Sequence, residues 1–269
     1  MSIDYSKSSL QELSEKQNNA NFSIAFSSQY KELALDKLKI DGKVPNWLSG
    51  NFISNGPAQF EVGSTAFNHW FDGFAMLKKF SFKEGNVCFQ NRFLRSKEYI
   101  ESVKIGKLSV NEFATYASNN ILKRIGSGIK NIIKSDYHDN CIVNTNFIAK
   151  QYIAMTETND ILAFNIKDLT TSGRFNLLDK VPGQLTLAHP HWDITKNELI
   201  NISVEVGPKN KYHIYKICQH SKEPKIISTY VSKNLFYNHS FSITKNVTPH
   251  VVPSAARDLL NVARNQIII

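Results

Sequence analysis

Ala75-Met76-Leu77-Lys78-Lys79-Phe80-Ser81-Phe82, Lys83-Glu84-Gly85-Asn86 and Val87-Cys88-Phe89-Gln90-Asn91-Arg92-Phe93-Leu94 follow one another without a break. They read as a strand, a hairpin turn and a second strand. Aromatic and apolar residues suit a half-buried pleated surface, and the Glu84-Gly85 pair suits a tight turn. The same texture spreads outward from this hairpin. Asn51-Phe52-Ile53-Ser54 precedes it, and strand-like runs follow at 141–147, 152–156, 161–166, 199–204, 212–217, 225–231 and 240–244. Many short strands with close turns and few helices predict an all-β sandwich, barrel or propeller. No clean repeat of blade length is present, so periodicity leaves the three open.

The 269 residues are 42% apolar and 11% aromatic, a globular composition. No run approaches the roughly 20 apolar residues of a membrane span. The start Met1-Ser2-Ile3-Asp4-Tyr5-Ser6-Lys7 lacks a secretory pattern. Three cysteines far apart (Cys88, Cys141, Cys218) fit a reducing compartment better than a disulfide framework or zinc ribbon. A cytoplasmic location is therefore expected. The net charge of +9 is spread along the chain without long basic runs. With no stacking motif, that distribution argues against nucleic acid as a partner.

One segment departs from the β texture. Over 120–135 the residues Ile121, Leu122, Ile125, Ile129, Ile132 and Ile133 fall at helical spacing, flanked by Lys123, Arg124, Lys130 and Lys134. Such a stripe fits a short amphipathic helix on an anionic membrane surface, or equally a helix packed on its own core.

The candidate chemistry lies in histidines. His189 ends the apolar run of Leu187-Ala188-His189-Pro190-His191-Trp192-Asp193, and His239 opens Tyr237-Asn238-His239-Ser240-Phe241-Ser242-Ile243-Thr244. Neutral imidazole is a usual ligand for a borderline metal such as Fe(II). His189 and His191 are two apart, so an extended backbone turns both to one side, and alternation leaves the choice between them open. His138, His213, His220 and His250 sit in polar surroundings and are expected at the surface. Thr156-Glu157-Thr158-Asn159 closes a strand with a carboxylate, a residue type that can fix a ligating imidazole through its second ring nitrogen. No Ser-His-Asp signature, phosphate-binding loop or CxxC is found.

Several of these pieces occur in one order: Gly42-Lys43-Val44-Pro45-Asn46-Trp47-Leu48-Ser49-Gly50, Asn55-Gly56-Pro57, Phe60-Glu61-Val62-Gly63-Ser64 and His69-Trp70-Phe71-Asp72-Gly73. Phe80-Ser81-Phe82-Lys83-Glu84-Gly85, Asn91-Arg92-Phe93-Leu94-Arg95, Thr156-Glu157-Thr158-Asn159, Ala188-His189-Pro190-His191 and His239-Ser240-Phe241-Ser242-Ile243-Thr244 continue it. Across about 33–247 the series resembles the carotenoid cleavage oxygenase family, in the branch of the animal β-carotene oxygenases and the retinoid isomerase of the retinal pigment epithelium.

The resemblance implies a seven-bladed β-propeller with one non-haem Fe(II) per full-length protein, held by four histidines on the axis. His189 and His239 match the first two ligands, and Glu157 matches an outer-shell glutamate. The implied reaction is O2-dependent cleavage of a conjugated double bond in a lipophilic polyene, a carotenoid or apocarotenoid, giving aldehydes or ketones. Related members isomerise retinyl esters or cleave stilbenes. Members also dock peripherally on membranes through an apolar patch, a role the 121–133 stripe would fill.

The family's third and fourth histidines come from segments beyond those matched here. Residues 248–269 match nothing in the family pattern, and 1–32 read as a polar, poorly ordered lead-in. The expected organisation is thus a lead-in, a partial propeller over 33–247 and an unmatched tail: the first half of the family enzyme. The alternative is a catalytically inactive remnant with two of four ligands. Two smaller departures are Ser54, where the family usually has Arg, and Lys78, where it commonly has His.

Overall fold

The computed structural model of the chain describes residues 23–109, 139–219, 223–236, 238–243 and 250–253. The opening strands are β1 (Ala34–Leu35), β2 (Gly50–Ser54), β3 (Pro57–Gln59), β4 (Glu61–Val62), β5 (Thr65–Ala66), β6 (Phe74–Lys83) and β7 (Asn86–Phe93). A first sheet runs β1-β7-β6-β2, with β3 continuing beside β6, and β4 and β5 form a separate small pair. The hairpin read from the sequence closes between β6 and β7, where Glu84 (φ 49) and Gly85 (φ 75) both take left-handed conformations. Positive φ at both central residues matches the right-handed twist of the flanking strands.

A second sheet contains β8 (Asn144–Ile148), β9 (Gln151–Met155), β10 (Leu162–Phe164) and β11 (Thr171–Arg174), in the order β11-β10-β9-β8. The third holds β12 (Leu185–Thr186), β13 (His191–Asp193), β14 (Glu198–Glu205), β15 (Asn210–Cys218) and β16 (Lys225–Ser232). Its order is β12-β14-β15-β16, and β13 also pairs with β14. A final pair joins β17 (Asn238–Ser242) to β18 (His250–Pro253). Among the described residues all pairings are antiparallel, and no sheet closes on itself.

The apolar clusters lie between sheets. Leu77 and Leu94 of the first meet Ala154, Leu162 and Phe164 of the second. Ile153, Met155 and Ile161 of the second meet Leu199, Tyr215 and Ile217 of the third. Ile200, Ile202 and Val204 on the opposite face of β14 meet Phe241 of β17. Alternate side chains of one strand thus serve two layers, which is why Leu199–Val204 is buried on both faces.

Two adjacent lysines show how closely faces differ. Lys79 is buried, and its Nζ donates to the carbonyls of Ile166 (2.9 Å) and Lys167 (2.6 Å) in the second sheet. Lys78 points to the other face, beside the turn at Gly56, and among the described residues no hydrogen bond or ion pair reaches its ammonium. Burial alone pulls its pKa below the usual lysine range.

A helix over Lys97–Ile105, not expected from the sequence, follows β7. Ser96 Oγ accepts from Tyr99 N–H (3.0 Å) at its start, and Gly106 ends it at φ 74. Of the lead-in, Ser28 and Tyr30 hydrogen-bond Glu61, each at 2.6 Å. The stripe from Ile121 to Ile133 lies outside the described residues, as do His138 and His220. One surface expectation is corrected. His213 is buried on central strand β15, its ring held between Thr229 (2.9 Å) and Glu205 (3.2 Å), because a polar neighbourhood in sequence became a cross-strand network.

A two-histidine candidate metal centre

His189 stands where the leading strand of the third sheet is interrupted. β12 ends with Thr186 opposite Ser203, and β13 begins with His191 opposite Ile200. Four residues, 187 to 190, therefore face two, 201 and 202, so the strand carries two extra residues. An even insertion preserves alternation, and His189, His191 and Leu187 keep one facing. It also frees backbone carbonyls from the ladder, and buried carbonyls need donors. Asn201 Nδ2 supplies one to Leu187 O (2.8 Å), and Asn144 Nδ2 of β8 supplies one to Ala188 O (3.0 Å).

His239 stands on a bulge of its own. On β17, Asn238 pairs with Pro253 and Ser240 with Val252, leaving His239 as the extra residue. The two rings meet edge to face with centroids 4.6 Å apart. His239 Nδ1 lies 2.9 Å from Glu157 Oε1. An ionised carboxylate only accepts, so this contact assigns the ring proton to Nδ1. Glu157 is itself braced: its carbonyl accepts from Thr186 N–H (3.0 Å), and Asn159 Nδ2 donates to Gly183 O (2.7 Å).

Electrostatics favour neutral imidazole at His189. Burial lowers its pKa first, the neighbouring His239 and His191 lower it further, and Glu157 opposes them. His191 is the residue the sequence could not separate from His189. Its ring packs on Phe241 (4.7 Å), and among the described residues its buried Nε2 has no hydrogen-bond partner. His239 faces His189 instead. The structure therefore brings together His189, His239 and Glu157. Asn144, Asn201 and Thr186, which hold the backbone behind them, went unread in the sequence. A buried Asn inside the apolar run Leu199-Ile200-Asn201-Ile202 was the available signal.

The donor chemistry, neutral imidazole anchored by a carboxylate, suits a borderline divalent metal. Among the described residues, no group of three His, Cys, Asp or Glu could hold a metal ion.

Leading strands of successive sheets stand side by side. β2 contacts β8, β8 bonds the break after β12, and that break meets β17. Antiparallel sheets stacked in series along one such line form a section of a β-propeller. The chain belongs to the carotenoid oxygenase family, and the model described as retinal pigment epithelial membrane protein matches residues 26–259.

The chain is 32% identical over 260 residues to human β,β-carotene 15,15'-dioxygenase, covering 89% of this chain and 47% of that protein. The Gallus gallus enzyme of the same name is 31% identical over 246 residues, covering 84% and 46%. A variant of Synechocystis apocarotenoid oxygenase superposes with TM-score 0.70 at 21% identity, over 83% of this chain and 47% of that one. A cobalt-substituted form of the Synechocystis protein gives 0.67 at 23%, over 81% and 46%. The chain spans about half the length of the curated relatives it matches. Among the described residues, no helix is long and apolar enough to cross a membrane.

Proposed function

We propose that this chain carries half of the metal site of a non-haem Fe(II) dioxygenase, with His189 and His239 as ligands and Glu157 as their outer support. The reaction is oxidative cleavage of a conjugated double bond in a carotenoid or apocarotenoid. Both atoms of O2 end in the two carbonyl products, so no further reductant is consumed. The observation that carries the reading is the Glu157–His239 hydrogen bond beside the His189 ring, contributed by three different sheets and their connections.

Fe(II), when bound, supplies the O2 activation that these side chains lack. The chain's own residues prepare for it. Glu157 fixes the His239 tautomer and aims its Nε2. Burial lowers the His189 pKa and so favours the neutral imidazole that ligation needs. The bulges present both rings beyond the regular ladder. The same reading gives the 121–133 stripe a peripheral membrane contact through which a lipophilic polyene enters.

The test is a chimera joining this chain to the second half of human β,β-carotene 15,15'-dioxygenase. Bound iron and aldehyde products from β-carotene support the reading, and both fall with His189→Ala or His239→Ala. Iron content unchanged in His189→Ala overturns the ligand assignment. A chimera that folds and binds iron through these residues, yet cleaves no polyene, points to an isomerase or an inactive remnant.

A further inference from the structure

Behind the two imidazoles lies a buried polar node, and we infer that Thr186, Asn201 and Tyr215 are positioning residues that set the separation of the His189 and His239 rings. The inference rests on the metal-site reading above. All three side chains lie inside the third sheet, exposed by 2%, 0% and 1% respectively. Asn201 Nδ2 donates to Leu187 O at 2.8 Å and lies 3.2 Å from Thr186 Oγ1 and 3.1 Å from Tyr215 OH. Thr186 Oγ1 and Tyr215 OH are 3.1 Å apart.

The node touches both arms of the site. On one side it holds the carbonyl of Leu187, two residues before His189. On the other, the backbone N–H of Thr186 holds the carbonyl of Glu157 at 3.0 Å, and the carboxylate of Glu157 holds His239. One rigid group thus bears on the ring of the third sheet and, through Glu157, on the ring of β17.

Stability alone does not account for it. A continuous strand opposite Asn201 would pair its carbonyls in the ladder, and the core could then be apolar. Buried polar groups are costly unless every member is satisfied, and among the described residues Asn201 Oδ1 has no partner, so the node's presence follows from the interrupted strand, which places His189. Tyr215 stays a neutral phenol, with burial pushing its pKa up to about 12, so its hydroxyl serves the network at any ordinary pH.

Ser203 provides the internal control. It lies on the same strand two residues on, is fully buried, and donates to Pro182 O at 2.6 Å, away from both rings. The experiment titrates Co(II) into the chimera of this chain with the second half of human β,β-carotene 15,15'-dioxygenase and follows the d–d absorption bands and the dissociation constant. His189→Ala is expected to remove the specific band.

Tyr215→Phe and Asn201→Leu should weaken Co(II) binding about tenfold and shift the band, the usual effect of removing outer support from a metal site. Ser203→Ala should lower thermal stability yet stay within about twofold of the parent in affinity, since its effect is on folding and not on the ligands. Should Asn201→Leu fail to fold, Tyr215→Phe, which deletes one oxygen, decides the matter. Parent-like binding by Tyr215→Phe overturns the inference, as does an equal loss in Ser203→Ala. Parent-like binding by His189→Ala instead overturns the metal-site reading itself, and this inference with it.

Discussion

His239 Nδ1 and Glu157 Oε1 stand 2.9 Å apart across eighty-two positions of sequence. Both side chains are partly open to solvent, at 45% and 30% exposure, so the contact is worth little as an ion pair. Its value is orientational. Glu157→Ala is therefore expected to leave unfolding midpoints nearly unchanged while weakening metal binding by about 10–100-fold. Glu157→Gln, whose amide oxygen can still accept from Nδ1, should recover part of that loss. Metal titration beside thermal unfolding separates the two effects, and equal losses in both variants would contradict the orientational role.

The lysine pair makes a second prediction with opposite signs at adjacent positions. Lys79→Met leaves the carbonyls of Ile166 and Lys167 without their donor and should cost about 1–3 kcal/mol in urea unfolding. Lys78→Met removes an ammonium that burial penalises without compensation, and should be neutral or stabilising. A large loss from Lys78→Met would show an anion partner at that face.

Backbone geometry gives a third. Gly183 takes φ 116, and a Cβ there would lie 2.7 Å from the backbone of Val204. Its carbonyl also anchors Asn159, in the loop that carries Glu157. Gly183→Ala should cost about 1–3 kcal/mol. It should also weaken metal binding, because β12 and the Glu157 loop must shift together. A loss of stability with metal affinity intact would confine Gly183 to the scaffold.

The turn after β13 supplies a pH dependence. Thr195 Oγ1 donates to Asp193 Oδ1 at 2.6 Å, and with Lys196 this holds the Asp193 pKa at about 2. A carboxyl whose pKa is lower folded than unfolded binds fewer protons in the native state. Its stabilisation is complete above the ordinary aspartate value of about 3.9 and fades as pH falls toward the folded value. Carbon-13 NMR should show Asp193 titrating near the bottom of the aspartates, and Thr195→Val should raise its midpoint. A midpoint already ordinary in the parent chain would remove the basis of this prediction.

Strands with alternating or continuous apolar runs were legible because burial imposes a simple period. The expected strands at 199–204 and 212–217 lie within β14 and β15, and the 83–86 turn closes as read. The short strands β11, β12 and β13 were not legible, since Thr171–Arg174 and Leu185–Thr186 are too brief to show a period. The helix at Lys97–Ile105 carried a Ser before it and a Gly after it, but only two of its residues are buried, so no apolar stripe announced it. The histidines could be named from their motifs. Which of His189 and His191 meets His239 depended on a strand break, and a break is set by pairing between distant segments, which a local reading does not see.

Both imidazoles occupy positions that the pairing does not count. His239 is the supernumerary residue of β17, and His189 lies in the four residues set against two on β14. Placement of the chemistry is thus encoded as chain length between paired residues as much as by amino-acid type. Loss of the one extra residue at His239, or of both at His189, would let the ladder close over the spot and withdraw the ring while the composition stayed almost unchanged. Single-residue gaps near these histidines, when distant relatives are aligned, are therefore more consequential than most substitutions, and a designer moving this site to another sheet would have to transplant the miscount along with the histidines.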